Sequence, residues 1–360
     1  MTVLSFLKSM AYINGIGIIS PQNTLPGQEF LEPAVEHTGD FLKAIEPVFK
    51  TYIDPIAARR MSRLIKMGIS SAKICLQDAG ISIPDAIITG TGLGSVEDTE
   101  KILSELTVEG KFLNPTPFIQ STYNTISSQI AISLKCHEYN STYVHRCFSL
   151  ESCLIDALLQ LSDGSATNVL AGGIDEMTMN HLTIIRRLGI WKREAIRNLD
   201  LWSCGIPGAM AGEGSAYFII SGEKNKHTYA RLIAAETLYR PGSTIETARL
   251  VTRFLDENGL SHEDIDLVLM GNNGFEEHDR ICEDIVSRAL PASSRVLYKH
   301  LSGEYHTVSG FALFVAANIL KKQRIPGSLI VNAPAPKKLD NILIHNHYRN
   351  TDHSLILVKK

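Results

Sequence analysis

The chain lacks any run of about 18 uninterrupted apolar residues, the length a membrane-crossing helix needs, so no membrane span is expected. It lacks an excess of charge of either sign. Its 35 Lys and Arg stand against 38 Asp and Glu, a net charge of −3, which excludes the strongly basic surface that nucleic acid or an anionic bilayer attracts. It has 6 Cys, at positions 75, 136, 147, 153, 204 and 282, without the paired spacing of a metal site. They read as reduced thiols of a cytoplasmic protein, and no metal or other cofactor is expected. The opening MTVLSFLKSM places its one lysine after apolar residues and has no small-residue cleavage site, so it does not read as a secretory signal.

What is present fits a large mixed fold. With 360 residues, 44% hydrophobic and 20% charged, the chain can bury a sizeable core and hold two halves in one body. Strand patterns are expected at Tyr12–Ile19, Ala86–Thr91, Thr142–His145, Val169–Gly172 and Ser215–Ile220, alternating with helical stretches. A second half opens on the extended segment TYARLIAAETLYR. It continues through helices near Thr244–Asn258, His278–Ala289 and Val308–Lys321, and strands at Asp266–Met270, Ser328–Asn332 and Ser354–Lys359. Such alternation points to α/β architecture. FEEHDRICED reads as an acidic, solvated run, with His278 in a loop beyond any site.

The most informative stretch is YVHRCFSLESCLIDALLQL, from Tyr143 to Leu161. It sets Cys147 between a strand-like approach and a strongly helical run from Phe148. A thiol at a helix start meets the positive end of the macrodipole and unpaired backbone N–H groups, both of which favour the thiolate. His145 and Arg146 add positive charge before it. A buried, inert cysteine in a strand-to-helix turn is the alternative reading of the same pattern.

Seven segments occur in the order and at the spacings of one family: AYINGIGIISP from Ala11, ARRMSRLIKMGISSA from Ala58, ITGTGLGSVEDTEK from Ile88, NVLAGGIDEM from Asn168, GAMAGEGSAYFII from Gly208, YKHLSGEYHTVSGFAL from Tyr298, and the closing SLILVKK. The chain resembles the β-ketoacyl synthases, condensing enzymes of the thiolase fold. The resemblance implies a five-layer αβαβα sandwich of two related halves, residues 1–222 carrying the nucleophile and 223–360 carrying the remaining site segments. It implies Cys147 as the acyl-accepting nucleophile.

At the other site positions the chain departs from the family. The segment that carries the first family histidine matches LVLMGNNGFEEHD, where Gly271 takes the histidine's place. Asn272 and Asn273 beside it are candidate oxyanion donors, or simply an Asn-Asn-Gly turn. In the second segment Lys299 matches the family lysine, and Glu304 stands where the second histidine should be. The family's partner for that lysine falls on Leu313, so Glu304 is the candidate counter-charge for Lys299. His306, two residues on, shares a side with Glu304 in an extended stretch, or is an ordinary loop histidine. The terminal gate matches HYRNTD: Tyr348 is the gate aromatic, sharing the oxyanion hole with Cys147, and Arg349 and Asn350 replace glycines. Asn124, Thr125 and Ile126 fall where the family lines a partner's acyl channel at the dimer interface, although core is the commoner fate of such apolar residues.

Two functions follow from the resemblance. The favoured one is an acyltransferase of the β-ketoacyl-acyl carrier protein synthase type, in fatty acid, polyene or polyketide biosynthesis. It would form an acyl-thioester on Cys147 and then condense or transfer the acyl group, with acyl and malonyl thioesters on an acyl carrier protein as partners. The other is a non-catalytic partner of the chain-length-factor type, as a heterodimer with a ketosynthase paralogue. The retained cysteine favours the first and the missing histidines the second.

Overall fold

The computed structural model describes residues 10–108, 112–331, 336 and 338–360. Most of the opening MTVLSFLKSM, and Asn332 of the expected strand Ser328–Asn332, lie outside the described residues. Within them, no helix is long and apolar enough to cross a membrane.

Eleven strands form one mixed sheet: β1 (Tyr12–Ile19), β2 (Ala86–Gly90), β3 (Tyr139–Tyr143), β4 (Asn168–Asp175), β5 (Gly214–Ser221), β6 (Ala230–Tyr239), β7 (Leu267–Met270), β8 (Ser294–Leu297), β9 (Ile330–Val331), β10 (Asn341–Tyr348) and β11 (Asp352–Lys359). Their spatial order is β9-β8-β7-β10-β11-β6-β1-β5-β4-β2-β3. The seam is narrow. β1 meets β6 only at the register pairs Tyr12–Arg231 and Ile13–Ala230, so the sheet is in effect two twisted sheets hinged along their first residues. Strands before residue 222 lie on one side of the seam and those after it on the other.

Helices fill the layers between and outside. Helix α1 (Arg63–Ala79) and α2 (Thr125–Leu134) pack on the outer face of the first half, where Ile65, Ile69, Ile126 and Ile130 meet Ile87 and Ile219. Helix α3 (Ser149–Ser162) and α6 (Ser309–Lys322) lie in the middle; α4 (Thr244–Glu257) and α5 (Glu276–Ala289) cover the other outer face. The middle pair explains its own composition. FALFVAANIL is apolar all round because a helix between two sheets has no solvent face, and residues Ser309–Leu320 are all buried. The outer helices keep one wet side: α4 starts on a Ser243–Glu246 capping box and buries only Thr247, Ala248, Val251, Phe254 and Leu255. The architecture is the expected αβαβα sandwich.

Several boundaries differ from the sequence pattern. The strand expected at Thr142–His145 is β3, ending at Tyr143, because Val144 and His145 are drawn into the turn towards Cys147. The regular helix begins at Ser149; a 3-10 turn, Arg146–Phe148, precedes it. Helix α5 starts at Glu276, two residues earlier than expected. Its run is not simply solvated. Asp279 and Cys282 are buried, and Asp279 accepts the backbone N–H groups of Asn273 (2.8 Å) and Gly274 (3.0 Å).

Candidate functional site around Cys147

The turn holding Cys147 is built by Ser149. Its Oγ accepts the His145 N–H (2.8 Å) and lies 2.9 Å from the Thr91 carbonyl and 2.7 Å from that of Arg146. Arg146 takes φ 50°, a left-handed conformation that an arginine adopts only when its surroundings fix it. Cys147 is thus placed at the head of the central helix, as its sequence context implied.

Its electrostatics are the reverse of those expected. Cys147 is 6% exposed. Burial, followed by the charges of Asp352, Glu151 and Glu304, pushes the thiol well above its ordinary range, and the backbone N–H at the helix start only partly opposes this. The helix-start argument failed because burial, and after it the nearby carboxylates, outweigh the helix end. Glu151, one turn along α3, is fully buried, accepts the Ser354 hydroxyl (2.7 Å), and is itself held above its ordinary range by burial. Its place four residues after the cysteine was the available sequence signal.

The two family histidine positions are closed in different ways. At Gly271 a Cβ would sit 2.7 Å from Asn346 Oδ1, 2.8 Å from Asn346 Cα and 3.0 Å from the His347 nitrogen, so neighbouring β10 occupies the space a side chain would need. At the second position Glu304 Oε2 lies 2.7 Å from Lys299 Nζ, with the side chains 2% and 0% exposed. This is the pairing the sequence suggested. The same oxygen accepts from Asn273 Nδ2 (2.8 Å), while Asn273 Oδ1 accepts the Phe275 N–H (3.1 Å). The adjacent asparagines therefore part company. Asn273 faces Glu304, and Asn272 turns away to Glu283 (3.3 Å), with its Oδ1 unpartnered.

Tyr348 closes β10, its ring tilted against His306 at 5.2 Å, and burial pushes its hydroxyl up to about 12. The loss of glycines has not changed the gate backbone's handedness: Arg349 and Asn350 take φ 55° and 52°. Two small cavities flank Tyr348 and Trp191. One, about 120 Å³, is lined by Glu304, Asn273, His278 and Arg349. The other, about 180 Å³, is lined by Arg146, Asp175, Glu176, His181 and His306. Glu304 and His306 therefore open on opposite sides of the gate tyrosine rather than into one pocket, and Cys147 lines neither cavity. His278, expected beyond the site, is part of it, stacked on Phe275 at 4.2 Å. The packing of α5 against the gate, which no local motif encodes, brings it there.

The channel candidates divide. Asn124 is exposed. Thr125 is buried and hydrogen-bonded to the Ile119 carbonyl (2.9 Å), and Ile126 packs in the core against Gly68. Exposed apolar residues lie nearby instead, Ile119 at 63% and Ile132 at 68%, beside the unpaired edge of β3.

A cysteine at the head of a central helix in an αβαβα sandwich is the arrangement that the resemblance implied. Residues 37–181 match the model of the β-ketoacyl synthase N-terminal domain. The whole chain shares the fold of solved members. The ishigamide ketosynthase/chain length factor superposes with a TM-score of 0.81 at 14% identity, covering 98% of this chain and 99% of that one. AntDE:AntF, a type II polyketide synthase acyl-carrier protein in complex with its ketosynthase, superposes at 0.78, with 14% identity and 98% and 99% coverage. The ketosynthase ApeO in complex with its chain length factor ApeC, from Xenorhabdus doucetiae, superposes at 0.72, with 13% identity and 98% coverage of each chain. No curated protein matches the chain in sequence.

Proposed function

We propose that this chain is the non-condensing, chain-length-factor-type partner of a ketosynthase, working on acyl chains delivered by an acyl carrier protein. One observation carries the reading: where the family places two histidines, or a histidine and an asparagine, this site holds a closed Lys299–Glu304–Asn273 network and a glycine with no room for a side chain. A carboxylate there repels a developing enolate, and an asparagine cannot move a proton at neutral pH. The Cys147 thiol, pushed up by burial and lining neither cavity, agrees with it. Catalytic roles for Glu304, Lys299, Asn272, Asn273 and His306 are correspondingly not part of the proposal.

A second reading has one specific observation in its favour. The turn that presents Cys147 is intact, with Arg146 strained at φ 50°, and strain of this kind concentrates at working sites. On that reading Cys147 accepts an acyl group, with backbone N–H groups of Cys147 and Tyr348 as oxyanion donors. Intact-protein mass spectrometry after incubation with acyl-carrier thioesters separates the two. The partner reading expects no adduct on the chain alone and an adduct on a ketosynthase paralogue mixed with it. A stoichiometric adduct that disappears in Cys147→Ala overturns it.

A further inference from the structure

The cavity beside Arg146 sets a cluster of charged and titratable side chains among apolar walls. Leu93, Met177, Ile185, Trp191, Tyr305 and Tyr348 line its about 180 Å³ together with a guanidinium, two carboxyl groups and two imidazoles. An alkyl chain placed there would strip water from those groups and return no hydrogen bond.

The polar groups do not cancel one another. Asp175 is already saturated: its Oδ1 accepts the Gly92 N–H (2.7 Å) and lies 3.3 Å from Thr91 Oγ1, and its Oδ2 accepts the N–H and the hydroxyl of Thr307, both at 2.8 Å. Glu176 accepts the Glu97 N–H (3.0 Å), and burial pushes its carboxyl up to about 7, so near neutral pH it is protonated about half the time. On the other side stand groups with nothing to bind. Arg146 has no ion-pair partner among the described residues. Trp191, 5% exposed, has an unpartnered Nε1–H, which can only donate. His306 Nδ1 is buried and unpartnered. A cavity with its acids satisfied and its donors idle calls for an acceptor-rich, negatively charged ligand small enough for the space.

We propose that this cavity is a receptor for a small carboxylate, held by Arg146 with help from Trp191 Nε1–H and His306. The carboxylate belongs either to a free short dicarboxylic acid or to the far end of a carboxy-acyl thioester. The inference does not rest on the partner reading, since binding needs neither acylation nor a second subunit. Binding is linked to protonation. The charged or titratable groups facing the bound carboxylate are Arg146, Asp175, Glu176, His181, Tyr305, His306 and Tyr348, with Glu304 and Asp352 close enough to act on His306. Glu176 and the imidazoles favour an anion when they hold a proton, so affinity rises as pH falls from 8 to 6.

Calorimetric titration of the purified full-length chain tests this with three probes: succinate, succinyl-N-acetylcysteamine and succinate dimethyl ester. Arg146-dependent binding of succinate identifies the free acid as the source. Arg146-dependent binding of the thioester alone identifies the acyl group. In either case the diester does not bind, Arg146→Gln weakens the bound probe at least tenfold, and Arg146→Lys, which keeps the charge but loses the fork, falls between. Arg146 is exposed, so these variants keep the wild-type fold, checked by circular dichroism; Trp191→Phe gives a second, severalfold loss from inside the cavity. No binding of either anion at about 10 mM, or binding unchanged in Arg146→Gln, overturns the proposal and leaves the cavity to water.

Discussion

Burial and the carboxylates of Asp352, Glu151 and Glu304 keep the Cys147 thiol protonated at neutral pH, so its reactivity should be low despite its place at a helix start. In a timed iodoacetamide reaction at pH 8 followed by peptide mapping, the half-exposed Cys204 should label first and Cys147 among the last. Early labelling of Cys147 would remove the main electrostatic support for the partner reading. The neighbouring ion pair responds differently. Glu304→Gln leaves the Lys299 ammonium buried without a counter-charge and should cost about 3 kcal/mol in urea unfolding. Lys299→Met combined with Glu304→Gln should recover most of that loss, because the cost lies in the unpaired charge more than in the missing bond. Equal stability of Glu304→Gln and wild type would mean that the pair carries no structural weight. At this scale the sequence was a good guide to identity and a poor one to environment: the Lys299–Glu304 pairing followed from a missing partner at Leu313, whereas the shift at Cys147 comes first from burial and then from Asp352, which lies 205 residues away.

The β10–β11 hairpin shows what one element adds to its residues. It carries His345, His347 and His353, all buried on one face against α5, with His345 Nε2 3.1 Å from His353 Nδ1 and Nδ1 3.5 Å from Cys282 Sγ. Burial holds His345 down to about 3 and His353 to about 4, with His347 also well below its usual value. These imidazoles are neutral when folded and take up protons near pH 6.5 once released. Stability is therefore complete above about pH 6.5 and declines as pH falls towards 4, by about 1.4 kcal/mol per pH unit for each such histidine. Urea unfolding at pH 7, 5.5 and 4.5 should show this slope, and His345→Gln should flatten it; a wild-type stability independent of pH across that range would refute it. The strand itself was legible only in part. SLILVKK reads as its second arm, but NILIHNHY hides its first, because two imidazoles and two asparagines look polar until a helix covers them.

For the whole molecule the exposed edge of β3 matters most. Tyr123, Ile119 and Ile132 are 49%, 63% and 68% exposed beside a strand whose outer backbone groups have no partner strand, a surface that a soluble chain normally covers. Ile119→Lys combined with Ile132→Asp should leave the fold intact and abolish co-purification with a ketosynthase paralogue, read by size exclusion with light scattering. A complex that survives both changes would place the partner elsewhere. The α/β class was readable from the alternation of strand and helix patterns, whereas the five-layer plan came only with the family resemblance that the order of the motifs carries. The division between core and surface along α2 was not. Thr125 and Ile126 point inwards and Ile132 outwards for reasons set by α1 packing across from them, information the segment does not contain.

The closed histidine positions also limit what single substitutions can do. Restoring Gly271 to histidine would drive a side chain into β10, and restoring Glu304 to histidine would strand Lys299. Each reversal is harmful alone, and neither helps without the other. On the partner reading the two positions are therefore locked independently, and no single substitution would place a histidine at either without disturbing β10 or Lys299.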